Sequence, residues 1–177
     1  MLFRSLNDNP QAFGQVYPYA LSNTNGRAVF YTSSVNVGGC SLVGDDARME
    51  QLGYDGRVEV EVKRAESLMD HIALPRWIKI DVEGNEEATV QGLLPVMERS
   101  AVQAIWCEVR GAQSDRNPNS YLSVCTCMRQ VGFIPHTFDG RALRPFDAEL
   151  VDTIPQDRKS TRLNSSHSSV SRMPSSA

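Results

Sequence analysis

The chain has 177 residues, of which 41% are hydrophobic and 22% are charged, so it is long and apolar enough to build the core of one globular domain. A formal net charge of -3 gives no basic footprint, which disfavours nucleic acid and anionic membrane surfaces as partners. No apolar run approaches the roughly 18 residues of a membrane span, and no basic segment with an apolar signal core opens the chain, so we expect a cytoplasmic location.

Strands and helices alternate in the predicted secondary structure. Val58 to Val62 alternates apolar and acidic residues, the period-two pattern of a half-exposed strand. Trp77 to Val82 is more uniformly apolar, which is typical of a strand covered on both faces of a parallel sheet. Such alternation argues for an α/β fold. The predicted strands are Gln15 to Leu21, Ala28 to Thr32, Val58 to Val62, Trp77 to Val82 and Ala101 to Val109, and Phe133 to Leu143 is predicted to form a closing hairpin. The predicted helices are Glu66 to Ile72, Glu86 to Met97 with an end or kink at Pro95, and Tyr121 to Val131, which Gly132 stops. Asn23 to Gly26 has turn chemistry, and Asn36 to Gly44 is irregular.

The four cysteines form neither a disulfide framework nor a zinc motif. Cys125 and Cys127 are two residues apart in a helical pattern, so they point in different directions and would not chelate one metal easily. Cys40 and Cys107 are isolated in the sequence. We therefore expect four free thiols and assign no metal ligands.

Both ends of the chain look foreign to a folded domain. The segment 159–177 holds eight serines in nineteen residues, with no acid and no apolar periodicity, so it cannot offset the entropy of ordering. Asp157 to Ser160 can be encoded by GATCGGAAGAGC and Leu2 to Ser5 by CTCTTCCGATCT, which are nearly the two strands of one DNA and resemble a translated sequencing adapter. We expect a non-native end at 1–5, a truncated domain at 6–156 cut from a longer parent protein, and a non-native disordered tail at 157–177.

Acidic residues follow the ends of two predicted strands. Asp81 lies at the end of Trp77 to Val82, Glu83 is in the turn that follows, and Glu108 ends the next strand. Because ligands bind beyond the carboxyl ends of strands in open α/β sheets, these carboxylates are predicted to converge on one ligand-facing rim.

Three other interpretations of the acids stay open. Acids at a helix N-terminus gain about 0.3 to 1 kcal/mol from the backbone dipole, so Glu83, Glu86 and Glu87 could be structural. Lys79 and Asp81 point to the same face of their strand and could simply pair. Alternatively, the cluster could hold Mg²⁺ or Ca²⁺, or a basic partner, in an α/β binding module without catalysis, although the chain lacks the calcium-loop pattern.

The segment Ile78 to Gly84, read Ile-Lys-Ile-Asp-Val-Glu-Gly, is followed by Glu86 and Gly92 and resembles the signature of the FkbM-type methyltransferases. That family depends on S-adenosylmethionine. Three other segments of the chain resemble the family and follow its order: Ala20-Leu21-Ser22 followed by Gly26, Asn36 to Leu42, and Ile105 to Val109. The resemblance covers roughly Val16 to Val109.

The resemblance implies a partial Rossmann-like class I methyltransferase fold: a mostly parallel sheet with helices, here without the N-terminal unit that carries the glycine-rich cofactor loop. Val37-Gly38-Gly39 does not replace that loop, because it neither follows a strong strand nor opens a helix. We therefore expect this chain, as it stands, to bind the cofactor poorly or not at all and to be inactive itself. The missing flanking strands should leave an open edge and exposed apolar surface, which predicts aggregation on expression.

For the intact parent, the resemblance implies methyl transfer from S-adenosylmethionine to a hydroxyl oxygen of a small-molecule, glycan or lipid acceptor, such as a sugar or secondary metabolite. Asp81 is the first candidate to face the methionine end or the acceptor, Glu83 is the second catalytic candidate, and Lys79, Glu86 and Glu108 are candidates for the substrate rim. Ala20, Leu21 and Ser22 are expected to lie near the adenine. The histidines His71 and His136 are alternative bases and are expected to be surface residues.

Overall fold

The computed structural model describes residues 17–35, 40–42, 44, 46–70, 74–99, 102–109, 120–138, 141–145 and 167–172. The described elements alternate between strands and helices, as the sequence predicts. The strands are β1 (Ala20–Leu21), β2 (Gly26–Thr32), β3 (Gly56–Lys63), β4 (Trp77–Ile80), β5 (Ala104–Glu108), β6 (Phe133–Phe138), β7 (Leu143–Pro145) and β8 (His167–Arg172), and the helices are α1 (Asp46–Gln51), a 3₁₀ helix (Ala65–Leu68), α2 (Glu86–Arg99) and α3 (Ser120–Gln130).

The strands form two sheets, with orders β1-β3-β2 and β4-β5-β8-β6-β7. Parallel pairing joins β1 to β3 and β4 to β5, whereas the other described pairs are antiparallel. The α/β class is therefore confirmed, and the mostly parallel sheet is found only in part. The difference arises because β7 returns from β6 in a hairpin and β8 runs against both of its neighbours.

The larger sheet is covered by helices on one face within the described part of the chain. Ile80, Ile105 and Cys107 point to this face and are buried. On the opposite face Trp77 is 73% exposed and the Lys79 side chain is 63% exposed, so the prediction that this strand is covered on both faces was wrong. The shared core also contains Val90, Leu93, Val96 and Met97 of α2 and Tyr121, Val124, Cys125 and Met128 of α3.

Helix α2 continues through Pro95 to Arg99. A proline removes one backbone donor and disfavours helix at the preceding residue, which is why an end or a kink was expected there. Val96 and Met97 are 1% and 0% exposed, so core burial beyond the proline holds the last turn in place. Helix α3 ends as predicted, where Gly132 has a φ of 81°, a left-handed conformation that favours glycine.

The first half of the chain departs from its prediction in several details. Strand β1 is two residues long, and the predicted residues 15–16 lie outside the described part. The two strands that the sequence predicts around the Asn23 to Gly26 turn, β1 and β2, flank β3 on opposite sides. The helix expected from Glu66 is a short 3₁₀ turn, with 71–73 outside the description, and α1 was not predicted.

The tail contributes a strand where the sequence predicts disorder. Residues 167–172 form β8, which pairs with β5 on one side and β6 on the other. Backbone groups make this pairing, so a serine-rich segment with no apolar pattern can supply it. Residues 157–166 and 173–177 lie outside the described part. The foreign origin of the two ends stays a prediction.

Candidate active site

Asp81 and Glu108 lie at the carboxyl ends of two adjacent strands of the larger sheet. β4 and β5 are parallel, and the pairing of Ile80 with Cys107 places the next residue of each chain segment, Asp81 and Glu108, at corresponding positions. Asp81 is exposed and Glu108 is half-buried. Both follow the side-chain alternation onto the face of the sheet that carries Trp77 and Lys79, opposite to Ile80 and Cys107. The carboxyl ends of the two strands thus present two carboxylates side by side.

A lysine ammonium is paired with one of these acids. Lys79 Nζ is 2.7 Å from Asp81 Oδ2. The hydrogen bond to Asp81 raises the pKa of Lys79, and the negative charge of Glu108 adds to that effect. The side chains of Lys79 and Asp81 are 63% and 40% exposed, so the pair is screened by water and adds at most about 1 kcal/mol to folding. Its effect is to orient the Asp81 carboxylate.

The turn after Asp81 has an unusual backbone. Glu83 has a φ of 51° and Gly84 a φ of 105°, both in the left-handed region. The hydroxyl of Ser41 donates to the Glu83 carbonyl at 2.7 Å, and the N–H of Gly84 donates to Glu86 Oε1 at 2.7 Å. Both polar groups of the peptide between Glu83 and Gly84 are therefore hydrogen-bonded to side chains, the carbonyl to Ser41 and the N–H to Glu86.

Glu86 lies inside the protein and is 2% exposed. The sequence placed it among the rim candidates, but its carboxylate reaches back to the Gly84 N–H and does not face the rim. Glu83 and Glu87 are half-buried, and Glu87 accepts a hydrogen bond from Gln91 at 3.3 Å. Helix position alone could not separate these acids, because all three lie in the first turn of α2 or just before it.

The segment Ala20 to Ser22 is attached to helix α2. Ala20 and Leu21 are half-buried, and Ser22 is 9% exposed. The Leu21 carbonyl accepts from Thr89 Oγ1 at 3.1 Å and from Asn85 Nδ2 at 3.3 Å. Because α2 begins at the turn after Asp81, the segment expected near adenine and the acidic turn are held by one helix.

Glycine 92 allows this close attachment. A Cβ at Gly92 would lie 1.9 Å from the Ser22 carbonyl oxygen, far inside any real contact, so only glycine fits. Asn23 Nδ2 also donates to Gln91 Oε1 at 2.7 Å. Sequence reasoning noted Gly92 as part of a motif but missed Asn85 and Thr89, which no spacing rule distinguishes from ordinary polar residues of a helix.

The family model of the methyltransferase FkbM domain matches residues 2–135 of the chain, about three quarters of its length. The chain belongs to the FkbM methyltransferase family. The FkbM match includes the acidic turn, both parallel strands of the rim and the Ala20 to Ser22 segment. It ends before the serine-rich tail, and it includes residues 2–5. No curated protein and no solved structure matches the chain.

An open cavity of about 600 Å³ lies at the end of the smaller sheet. It adjoins the Ala20 to Ser22 segment, because its lining residue Lys63 pairs with Leu21 and accepts the Ser22 N–H at 3.0 Å. None of the predicted site residues lines it. Lys63 there forms an ion pair with Glu61 and lies 4.0 Å from the centre of the Tyr19 ring. Arg27, which also lines the cavity, forms an ion pair with Glu59 at 2.9 Å. The lining residues are Asn25, Gly26, Arg27, Glu61, Val62, Lys63 and Ser67.

The remaining candidates of the FkbM chain are located as follows. His136 Nδ1 lies 3.0 Å from the Ile134 carbonyl in β6, and His71 is outside the described part. All four cysteines are free, as predicted. Among the described residues, no three His, Cys, Asp or Glu side chains converge as a metal site. No helix in the described part is long and apolar enough to cross a membrane.

Proposed function

We propose that the parent protein transfers a methyl group from S-adenosylmethionine to a hydroxyl oxygen of a sugar, lipid or secondary metabolite in the cytoplasm. One observation supports this most directly: in a member of the FkbM family, Asp81 lies at the carboxyl end of a parallel strand beside Glu108. This is the edge of an α/β sheet where ligands bind.

The chemistry asks little of the protein beyond positioning. The sulfonium of the donor is a good leaving group, so the site must align the acceptor oxygen, methyl carbon and sulfur and exclude water. The acceptor hydroxyl becomes acidic as its oxygen attacks, so a nearby base assists. Asp81 is exposed and oriented by Lys79, which suits it to the acceptor or the methionine end. Glu83 is the second candidate, and Glu108 completes the rim with Lys79.

The cofactor's adenine is proposed to lie near Ala20, Leu21 and Ser22. These residues are tied to α2 by the hydrogen bonds from Asn85 and Thr89 to Leu21. Movement of α2 would therefore displace the adenine segment and the acidic turn together.

A methylation assay tests the proposed activity. The parent protein is incubated with S-adenosylmethionine and hydroxylated acceptors of three classes, a monosaccharide, a lipid alcohol and a small aliphatic or aromatic alcohol, and S-adenosylhomocysteine release is measured. We expect acceptor-dependent release for one class, abolished in Asp81→Ala and kept in the neighbouring control Glu87→Gln. Release that Asp81→Ala leaves unchanged would contradict the assignment of Asp81.

The alternative of a cation-binding module is disfavoured by the position of Lys79. Its ammonium lies 2.7 Å from Asp81 Oδ2, so this carboxylate is already paired with a positive charge that a metal ion would have to displace. Calorimetry with MgCl₂ or CaCl₂ separates the two functions. Strong metal binding by the parent, with no binding of S-adenosylhomocysteine, would favour the module.

A further inference from the structure

We infer that Glu86 and Ser41 are positioning residues, which hold the left-handed turn at Glu83 and Gly84 and thereby fix the direction of the Asp81 carboxylate. This inference rests on the proposed function for its consequence in catalysis. Its structural part, the fixing of the turn, stands on the contacts of the turn itself.

The turn needs external support. A non-glycine residue in the left-handed region costs free energy, because its Cβ approaches the following carbonyl oxygen. Such residues persist when their surroundings determine the conformation, and they are common at functional sites. Among the residues that the structure describes, the non-glycine residue with a left-handed backbone is Glu83, whose φ is 51°. It lies two residues after Asp81.

Glu86 provides the first support. A carboxylate that only favoured the helix dipole would gain the same benefit while exposed to water. Glu86 is instead 2% exposed, and burial of a carboxylate is costly unless hydrogen bonds satisfy it. Its Oε1 accepts the Gly84 N–H at 2.7 Å, a short charge-assisted bond across the first turn of α2. The side chain therefore fixes the peptide between Glu83 and Gly84.

Ser41 provides the second support from a distant segment. It is fully buried, and its Oγ donates to the Glu83 carbonyl at 2.7 Å. Ser41 is itself fixed, because its backbone exchanges two hydrogen bonds with Tyr31 of β2, at 2.8 and 3.0 Å. The turn after β4 in the larger sheet is thus anchored to the smaller sheet. Loss of either side chain should loosen the turn and let the Asp81 carboxylate turn away from the rim.

Amide hydrogen exchange on the full 177-residue chain tests the inference without any cofactor. The variants are Glu86→Ala, Glu86→Gln, which keeps an acceptor oxygen, and Ser41→Ala, with Glu87→Ala as the matched control in the same helix turn. We expect the Gly84 N–H to exchange about tenfold faster in Glu86→Ala than the change in global stability explains, the size of one lost hydrogen bond. Glu86→Gln should restore most of the protection, and Glu87→Ala should leave it unchanged.

Ser41→Ala keeps the test informative if Glu86→Ala does not fold. It should broaden or shift the Glu83 and Gly84 amide signals while the amides of α3 stay in place. Unchanged Gly84 exchange and unchanged shifts in both alanine variants would overturn the inference, as would equal exchange in Glu86→Gln and Glu86→Ala.

Measurements of the methyl-transfer rate of the parent then connect the turn to the proposed function. We expect Glu86→Ala and Ser41→Ala each to lower methyl-transfer kcat about tenfold or more, with Glu86→Gln partly restoring it. If the parent shows no methyl transfer but Gly84 exchange responds as expected, the proposed function fails and the positioning of the turn stands. If transfer occurs and neither variant changes it, the positioning role is wrong.

Discussion

At residue 92 the helix and the neighbouring strand segment touch through backbone alone. Replacing glycine by alanine inside a helix usually stabilises it by about 1 kcal/mol. Gly92→Ala should do the reverse and lower the free energy of unfolding by about 1 to 3 kcal/mol, because the new Cβ would lie 1.9 Å from the Ser22 carbonyl oxygen. Urea unfolding followed by circular dichroism measures the change.

Thr126→Ala is the control for Gly92→Ala. Thr126 is exposed on α3, so the substitution changes helix propensity without a new contact. We expect the control to be neutral or slightly stabilising. A stabilised Gly92→Ala would show that α2 and the Ser22 segment are not held against each other.

Lys79 gives a pH dependence with a defined sign. Its partner Asp81 raises its pKa above the ordinary 10.5, so the pair stabilises the folded state below that value, and the contribution is lost as pH rises through the higher folded pKa. Lys79→Met should therefore lower the free energy of unfolding by less than about 1 kcal/mol at pH 7, since the pair is exposed. The difference should shrink in 1 M salt and at alkaline pH. A loss that persists under both conditions would indicate a packing role for the lysine stem.

Thiol labelling distinguishes the four cysteines. Cys107 and Cys125 are 0% and 3% exposed, and burial raises the pKa of both thiols, so neither should react with a disulfide reagent in the folded protein at pH 8. Labelling followed by peptide mass analysis should place early modification on Cys40 and Cys127, which are half-buried. Early reaction at Cys107 would contradict the packing of β5 against the helices.

Among the elements, strand β8 makes the sharpest prediction. Ser169 pairs with Trp106 of β5 and with His136 of β6, so a proline there cannot supply a backbone donor within the sheet. Ser169→Pro should lower the unfolding midpoint and the strand signal in circular dichroism. Ser176→Pro lies four residues beyond β8 and is the control. Equal behaviour of the two variants would show that the tail adds nothing to the sheet, as its composition predicts.

Elements whose apolar residues follow a clear period could be predicted from the sequence. The alternation in β3, the apolar run of β4 and the helical spacing of α2 and α3 each reflect burial of one face, and the β6 and β7 hairpin follows from Asp139-Gly140. β8 could not be predicted, because backbone pairing leaves no period in a serine-rich segment. The sequence of this segment therefore does not indicate that it pairs with β5 and β6.

Part of the candidate site could likewise be predicted from the sequence, and part could not. The strand ends and the motif predicted the position of Asp81 and Glu108 at one edge. The inward direction of Glu86 and the bond from Ser41 were not predictable, since they depend on a left-handed turn and on a residue 42 positions away. Tertiary contacts of that kind have no local sequence pattern.

For the whole molecule, the face of the larger sheet that carries Trp77 and Lys79 should govern solution behaviour. Exposed apolar area on a sheet face promotes association. Trp77, 73% exposed on that face, contrasts with Val35, which is 92% exposed but lies in the segment after β2. We expect Trp77→Lys to reduce concentration-dependent association in analytical ultracentrifugation, and Val35→Lys to have little effect. A wild-type chain that stays monomeric and unfolds cooperatively would contradict this expectation.

The central claim is that carboxylates from two adjacent parallel strands form one cofactor-facing edge, with Asp81 foremost. Calorimetric titration of S-adenosylhomocysteine into the parent protein and its Asp81→Asn and Glu87→Gln variants tests it most directly. We predict saturable binding that Asp81→Asn weakens about tenfold or more and Glu87→Gln leaves unchanged. No binding by the parent, or equal affinity in all three proteins, would contradict the claim.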